Sequence, residues 1–263
     1  MRKKRTILLI VGLIFCSFVL LLSGVIYYDL SYQVKNYHYV NREEYDEVQE
    51  GIAFIQKLPI QLNILNHSFV DMNLLKVEDQ EQILLSYVMK NKQDIAPCMN
   101  EMDTSDYKCL SLDELQDTSL QSLFGLDLTF ETEKIDLYSE VYGSQELVKT
   151  DDCYRFQVGY SDNEGLENYS YFVKYKQEGD NYLYYFYQGY YNSTCDAKNG
   201  YQLTNYIDGE VVEQEECTVT QPFSNLSSSK REKLQLYKYI LRKDESGKFY
   251  LYGYNPVKNI DAE

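Results

Sequence analysis

The sequence predicts an α+β protein in which an N-terminal transmembrane helix precedes two to three helices packed on one face of an antiparallel β-sheet. Three observations lead to this fold class. A basic cluster is followed by a long uncharged run, residues 41–125 show helical periodicity, and residues 126–263 alternate between apolar and polar side chains. Helices followed by strands are typical of α+β domains, whose helices cover one face of the sheet.

The first residues predict a membrane anchor. Residues 2–5 are all basic, and no charged side chain occurs between Thr6 and Tyr28. As a helix, a run of this length would extend about 35 Å, against about 30 Å of bilayer hydrocarbon. Basic residues mark the cytoplasmic side of such a helix. We therefore expect a cytoplasmic tail at 1–5, a single-pass anchor at 6–28 and an extracytoplasmic C-terminal domain.

Three other interpretations of this segment compete with the anchor. A cleaved signal peptide has a shorter apolar core and small residues at its cleavage site, whereas Leu22-Ser23-Gly24 matches such a site poorly. A lipoprotein would carry its cysteine at the end of the apolar run, but Cys16 lies in the middle of it. A buried globular helix would need neither this length nor the basic flank.

The charge of the chain limits its partners. The formal net charge is −16, and the first 28 residues contribute +4, which leaves −20 for the rest. So acidic a surface repels nucleic-acid phosphates and anionic lipid headgroups. We therefore expect no nucleic-acid binding. The acidity serves solubility, or alternatively forms a docking face for a basic partner.

Five cysteines lie beyond the predicted anchor, and an extracytoplasmic compartment permits disulfides. Cys98 and Cys109 flank a short polar segment that a disulfide could close. One further pair is expected among Cys153, Cys195 and Cys217, so that one cysteine is left over. The alternative is that all five are small buried residues.

The region from 41 to 125, which follows a polar stalk at 29–40, predicts helices. The first carries apolar residues at helical spacing and ends before Pro59, and the second runs from Val77 to Met89. The third opens with a capping box, Ser111 and Glu114, and closes at Gly125. The apolar positions of the first helix are Tyr45, Val48, Ile52 and Ile55.

Residues 126–263 predict β-hairpins, which alternate in side-chain character and are separated by turn residues. The clearest hairpin joins residues 234–242 to residues 249–254, with Leu236, Ile240 and Leu251 as the predicted core. Tyrosines are abundant on these strands. They suit half-buried strand faces, and a tyrosine-lined face could alternatively bind glycan or peptide. Other predicted strands are residues 154–160, 171–176, 182–191, 203–207 and 210–213.

The chain resembles membrane-anchored exported proteins of Gram-positive bacteria. The resemblance rests on the basic and apolar start, on Leu123-Phe124-Gly125, and on the closing hairpin with Tyr237-Lys238-Tyr239 and Gly247-Lys248-Phe249-Tyr250. The order of elements is similar to that of cystatin-like and NTF2-like ectodomains, which pack N-terminal helices into a curved antiparallel sheet. The resemblance therefore implies a cell-membrane location, and it supplies no site residues.

Few residues carry a signal for catalysis. His38 lies in the predicted stalk and His67 in a polar stretch, and no hydrolase, metalloprotease or nucleotide-binding motif occurs. We expect no cofactor or metal. The predicted function is a non-enzymatic binding or scaffolding module of the cell envelope, with an envelope protein or glycan as its partner. The alternative is a cell-wall or glycan-acting enzyme that uses paired carboxylates.

Overall fold

The computed structural model describes residues 42–92, 94–98, 106–158 and 165–258. By internal contacts the chain divides into residues 1–47 and 48–263. The predicted tail, anchor and stalk at 1–40 lie outside the described residues. Among the helices of the described part, none has the length and apolar character needed to cross a bilayer.

The described residues form more strand than helix, 40% against 24%. The α-helices are α1 (Arg42–Lys57), α2 (Gln61–Leu65), α3 (Val77–Asn91), α4 (Leu112–Leu115), α5 (Thr118–Ser122) and α6 (Ser228–Arg231). The strands are β1 (Tyr107–Ser111), β2 (Lys134–Ser139), β3 (Gly143–Lys149), β4 (Cys153–Gln157), β5 (Leu166–Glu178), β6 (Asn181–Asn192), β7 (Tyr201–Thr204), β8 (Val211–Glu215), β9 (Gln235–Lys243) and β10 (Phe249–Val257).

The predicted fold class is wrong, because these strands form two antiparallel sheets. The smaller sheet has the order β1-β4-β3-β2. The larger sheet has the order β10-β9-β6-β7-β8, and β5 pairs with β6. The helix α2 contacts β2 of the smaller sheet and is hydrogen-bonded to the larger one, so this helix lies between the two sheets. The predicted arrangement, with helices on one face of one sheet, therefore does not hold.

The predicted third helix also differs from the structure. Residues 111–125 contain two short helices, α4 and α5, in place of one. The capping box at Ser111 and Glu114 does not form, since no side chain caps α4. The physical reason is that Ser111 ends β1 and pairs there with Cys153 of β4. The second helix runs two residues past its predicted end at Met89.

The larger sheet has an inner face, which contacts α2, and an outer face. Residues directly opposite on neighbouring strands share a face, and along a strand the faces alternate. Leu241 and Leu251 pair on the inner face, whereas Leu236 and Ile240 lie on the outer face. Leu236 and Leu251 are buried, but Ile240 is only partly buried. The predicted core residues of this hairpin therefore belong to two different faces.

A buried polar network fixes α2 to the inner face. Asn63 of α2 donates from Nδ2 to Gln188 Oε1 at 3.1 Å and accepts at Oδ1 from the Tyr254 hydroxyl at 2.9 Å. The Tyr239 hydroxyl donates to the same Gln188 oxygen at 2.6 Å. Burial raises the pKa of Tyr239 and of Tyr254 well above the usual range, so both hydroxyls stay protonated as donors.

Candidate functional site

Basic residues are concentrated on the outer face of the larger sheet. The strands β5, β6, β9 and β10 carry five basic residues and two acids, although the whole chain has a net charge of −16. Strand register places four of these basic residues on the outer face. We call the outer surface formed by Lys174, Lys176, Tyr185, Lys238 and Arg242 the cationic sheet face.

A cross-strand row forms the centre of the cationic sheet face. Lys174 of β5 lies opposite Tyr185 of β6, Tyr185 lies opposite Lys238 of β9, and Lys238 lies opposite Asn255 of β10. Adjacent strands are about 4.8 Å apart, so the backbones of Lys174 and Lys238 are separated by roughly 10 Å. The row therefore places one ammonium group on each side of a tyrosine.

The apolar parts of these side chains cover the sheet. Lys174 Nζ lies 5.6 Å from the centre of the Tyr185 ring. The Tyr185 side chain is only 4% exposed, although it belongs to the outer face. Long lysine stems can pack on such a surface while the charged head stays in water. The tyrosine therefore supports the lysines and does not itself offer a ring to a ligand.

Arg242 is held in place at one end of the face. Its guanidinium carbon lies 3.4 Å from the centre of the Tyr252 ring, and its Nε donates to Asn181 Oδ1 at 2.8 Å. A guanidinium stacked on a ring and hydrogen-bonded through Nε keeps a defined orientation. Arg242 therefore adds a positioned positive charge to the face.

Acidic residues offset part of this charge, and Glu178 is the one beside the lysines. Lys176 forms an ion pair with Glu178, which follows it on the same face. The hydrogen bond and the charge of Lys176 lower the pKa of Glu178, and Lys238 adds to the lowering. Lys238 therefore acts on a carboxyl two strands away, and on the outer face of these strands four basic residues stand against two acids, Glu167 and Glu178. Such a surface suits phosphate or carboxylate groups, for which lysine serves as a point charge.

A second surface carries two carboxylates on neighbouring strands. Asp136 of β2 and Glu146 of β3 lie directly opposite each other and line an open hollow beside Gln61. Glu146 is ion-paired with Lys134 at 2.6 Å, and its side chain is 55% exposed. A solvated ion pair at a sheet surface lacks the enclosed, opposed carboxyls that glycoside hydrolysis requires.

The five predicted cysteines are distributed as two pairs and one thiol. Cys98 and Cys109 are joined, which confirms the predicted pair. Cys195 and Cys217 form the second pair, and Cys153 is a buried free thiol.

The described histidine, His67, lies at the surface beside one acid. The His67 side chain is 56% exposed and lies 3.8 Å from Asp79, and His38 is outside the described residues. Within the described ranges, no group of three or more potential metal ligands comes together.

Sequence reasoning missed the cationic sheet face because a β-bulge creates it. The register of β5 against β6 shifts between Phe172 and Lys174. Plain alternation would place Lys174 and Lys176 with Phe172 on the inner face, and the bulge reverses this. A count of the charged residues in each strand was the only feature of the sequence that could have indicated this face. Comparisons of the chain with protein families, curated proteins and solved structures find no significant match.

Proposed function

We propose that the chain is a non-enzymatic binding module of the cell envelope, and that its cationic sheet face binds a glycan chain that carries phosphate or carboxylate groups. The observation that carries the proposal is the row Lys174–Tyr185–Lys238, in which two cations are held on one sheet face of an acidic protein. The predicted anchor at 6–28 would hold this domain at the outer surface of the membrane.

The acidity of the rest of the chain is compatible with such a ligand. At physiological ionic strength the Debye length is about 8 Å, so exposed acids on distant surfaces are screened from the face. The cations of the row, roughly 10 Å apart, act together on a ligand that touches both. Binding is therefore local and weakens as salt is added.

A glycan polymer suits this face better than an acidic protein does. The centres of protein interfaces are depleted of lysine and depend on aromatic and arginine anchors. Here the central row contains two lysines, Tyr185 is covered, and the guanidinium of Arg242 already stacks on Tyr252. A polymer with repeating anionic groups needs only point charges at suitable intervals.

The test measures binding of defined polymers to the full-length chain in nonionic detergent. The probes are poly(glycerol phosphate) and polygalacturonate, with uncharged dextran and poly-glutamate for comparison. Lys174→Gln combined with Lys238→Gln should weaken binding of the anionic glycans about tenfold, because two charge contacts of about 0.7 kcal/mol each are lost. Melting curves establish that the variant is folded.

The matched control removes the same charge elsewhere. Lys198 and Lys248 are exposed in loops outside the face. Lys198→Gln combined with Lys248→Gln should change binding less than twofold. Equal losses in both double variants, or no binding of either anionic glycan, would contradict the proposal. Binding of poly-glutamate alone would show an acidic protein ligand instead.

A separate experiment tests the proposed location of the domain outside the membrane. Protease added to intact cells should remove the domain and spare residues 1–5. Release of a soluble protein that begins near residue 25 would show a cleaved signal peptide instead.

A further inference from the structure

Three cysteine sulfurs meet at the paired strands β1 and β4. The thiol sulfur of Cys153 lies directly beside Sγ of Cys109, which is itself joined to Cys98. Strand register pairs Cys153 with Ser111, two residues beyond Cys109 on the same face of β1. The thiol of Cys153 is therefore in direct contact with one sulfur of an existing disulfide.

The surrounding hydrogen bonds hold Cys153 in this position. The Thr150 hydroxyl donates to the Cys153 carbonyl at 2.9 Å, and the Cys153 amide donates to the Thr150 hydroxyl oxygen at 3.2 Å. The same hydroxyl lies 3.3 Å from the Cys153 sulfur. The Cys153 side chain is 9% exposed, so its nearest reaction partner is the sulfur of Cys109 and not a reagent in solution.

We infer that Cys98, Cys109 and Cys153 form a thiol–disulfide exchange site in which Cys109 alternates between two partners. The Cys153 thiol loses its proton and its thiolate attacks Sγ of Cys109. The bond between Cys109 and Cys153 forms as the bond between Cys109 and Cys98 breaks. The bonding electron pair leaves on Cys98, which takes up a proton and becomes the thiol. One disulfide and one thiol are present before and after, so no oxidant or reductant is needed.

The segment that carries Cys98 stays attached when its disulfide is exchanged. The Cys98 amide donates to the Tyr107 carbonyl at 3.2 Å, and the Cys109 amide donates to the Ala96 carbonyl at 3.0 Å. Lys108 Nζ donates to the Ile95 carbonyl at 2.9 Å. These bonds keep the released Cys98 thiol beside Cys109, so the exchange is reversible. Its result is to move the reactive thiol from β4 to the segment 94–98, independently of the proposed glycan binding.

The spacing of lysine and arginine allows a direct test. Trypsin separates Cys98, Cys109 and Cys153 onto the peptides 93–108, 109–134 and 150–155. The full-length chain is incubated at neutral pH without reductant, its thiols are blocked under denaturing conditions with N-ethylmaleimide, and the digest is analysed by mass spectrometry without reduction. We expect both linked pairs in the wild-type protein, 93–108 with 109–134 and 109–134 with 150–155.

Single substitutions isolate each partner. Cys98→Ser should yield only the Cys109–Cys153 link, and Cys153→Ser only the Cys98–Cys109 link. A single link in the wild-type protein, whichever it is, overturns the exchange. So does blocking of both remaining cysteines in Cys98→Ser. Cys195 and Cys217 fall on the peptides 177–198 and 199–230 and should stay linked in every variant, which shows that no general scrambling has occurred.

Discussion

Replacing Asn63 by Leu tests whether the buried polar network holds the helix α2 to the larger sheet. Asn63 is 2% exposed, and its side-chain amide joins α2 to Gln188 of β6 and to Tyr254 of β10. Leucine has a similar size but neither donates nor accepts. The substitution therefore removes the hydrogen bonds and leaves the rest of the packing nearly unchanged.

The expected loss of stability follows from the groups left without this partner. The Tyr254 hydroxyl loses its acceptor at 2.9 Å, and Gln188 loses the donor at 3.1 Å. Removing the partner of a buried polar group costs about 1–3 kcal/mol, and the cost at Gln188 is the smaller one because its oxygen keeps the Tyr239 hydroxyl, so the two losses together cost about 2–5 kcal/mol. Against a domain stability of about 5–15 kcal/mol this is a large fraction. For a domain of this size the melting temperature should fall by roughly 5–15 °C.

The assay is thermal and urea denaturation of the full-length chain in detergent, followed by circular dichroism. Ile64 provides a control on the same helix, because its side chain is 43% exposed. Ile64→Asn should lower the melting temperature by no more than a few degrees. The difference in melting temperature between the two variants then measures the contribution of the buried polar network and not a general weakness of α2.

A double-mutant cycle identifies the bond that is responsible. Tyr254→Phe removes the hydroxyl group that donates to Asn63 Oδ1. In the Asn63→Leu background this substitution should therefore lower the stability less than it does in the wild type. Direct partners couple by about 0.5–3 kcal/mol. Additive losses, or an Asn63→Leu variant as stable as the wild type, would refute the reasoning, since α2 would then be held by apolar contacts alone.

Two further predictions concern the larger sheet. Leu251→Ala, at a fully buried inner-face position, should lower the free energy of unfolding by about 2–5 kcal/mol. Ile240→Ala on the outer face should lower it clearly less. Equal losses of stability in the same melts would show that the faces are misassigned. Burial raises the pKa of Tyr206, Tyr239 and Tyr254, whereas unfolded tyrosines ionise near about 10. Above that pH the unfolded state binds fewer protons, so stability is complete below about pH 10 and falls as the pH rises further. In an alkaline absorbance titration these tyrosines should ionise only as the circular dichroism signal is lost, and complete ionisation of a folded protein would exclude their burial.

Local patterns predicted the hairpins well. The segments 171–176 and 182–191 lie within β5 and β6, and the two-residue connection between these strands contains Gly179, which has a φ of +59°. The predicted turn before β10 contains Gly247, with a φ of +82°. Glycine adopts such angles without steric cost, so these turns are encoded where they occur. The disulfide between Cys98 and Cys109 is likewise a local feature.

Pairings between distant segments could not be predicted in this way. β1 lies within the region predicted as helical, and it becomes a strand because β4 offers it a partner from Cys153 to Gln157. Which strands meet depends on packing across the whole domain and not on the propensity of five residues. The sequence therefore indicated an antiparallel sheet but not its division into two.

The sequence by itself determined the charge of the chain, the apolar run at 6–28, the hairpin turns and the cysteines available for pairing. Only the tertiary structure decided which strand residues share a face. The bulge between Phe172 and Lys174 turns two lysines outward, and the one between Leu251 and Gly253 turns Tyr254 inward towards Asn63. Because side chains alternate with a period of two, one extra residue reverses every position that follows. The cationic sheet face and the buried network both follow from such reversals.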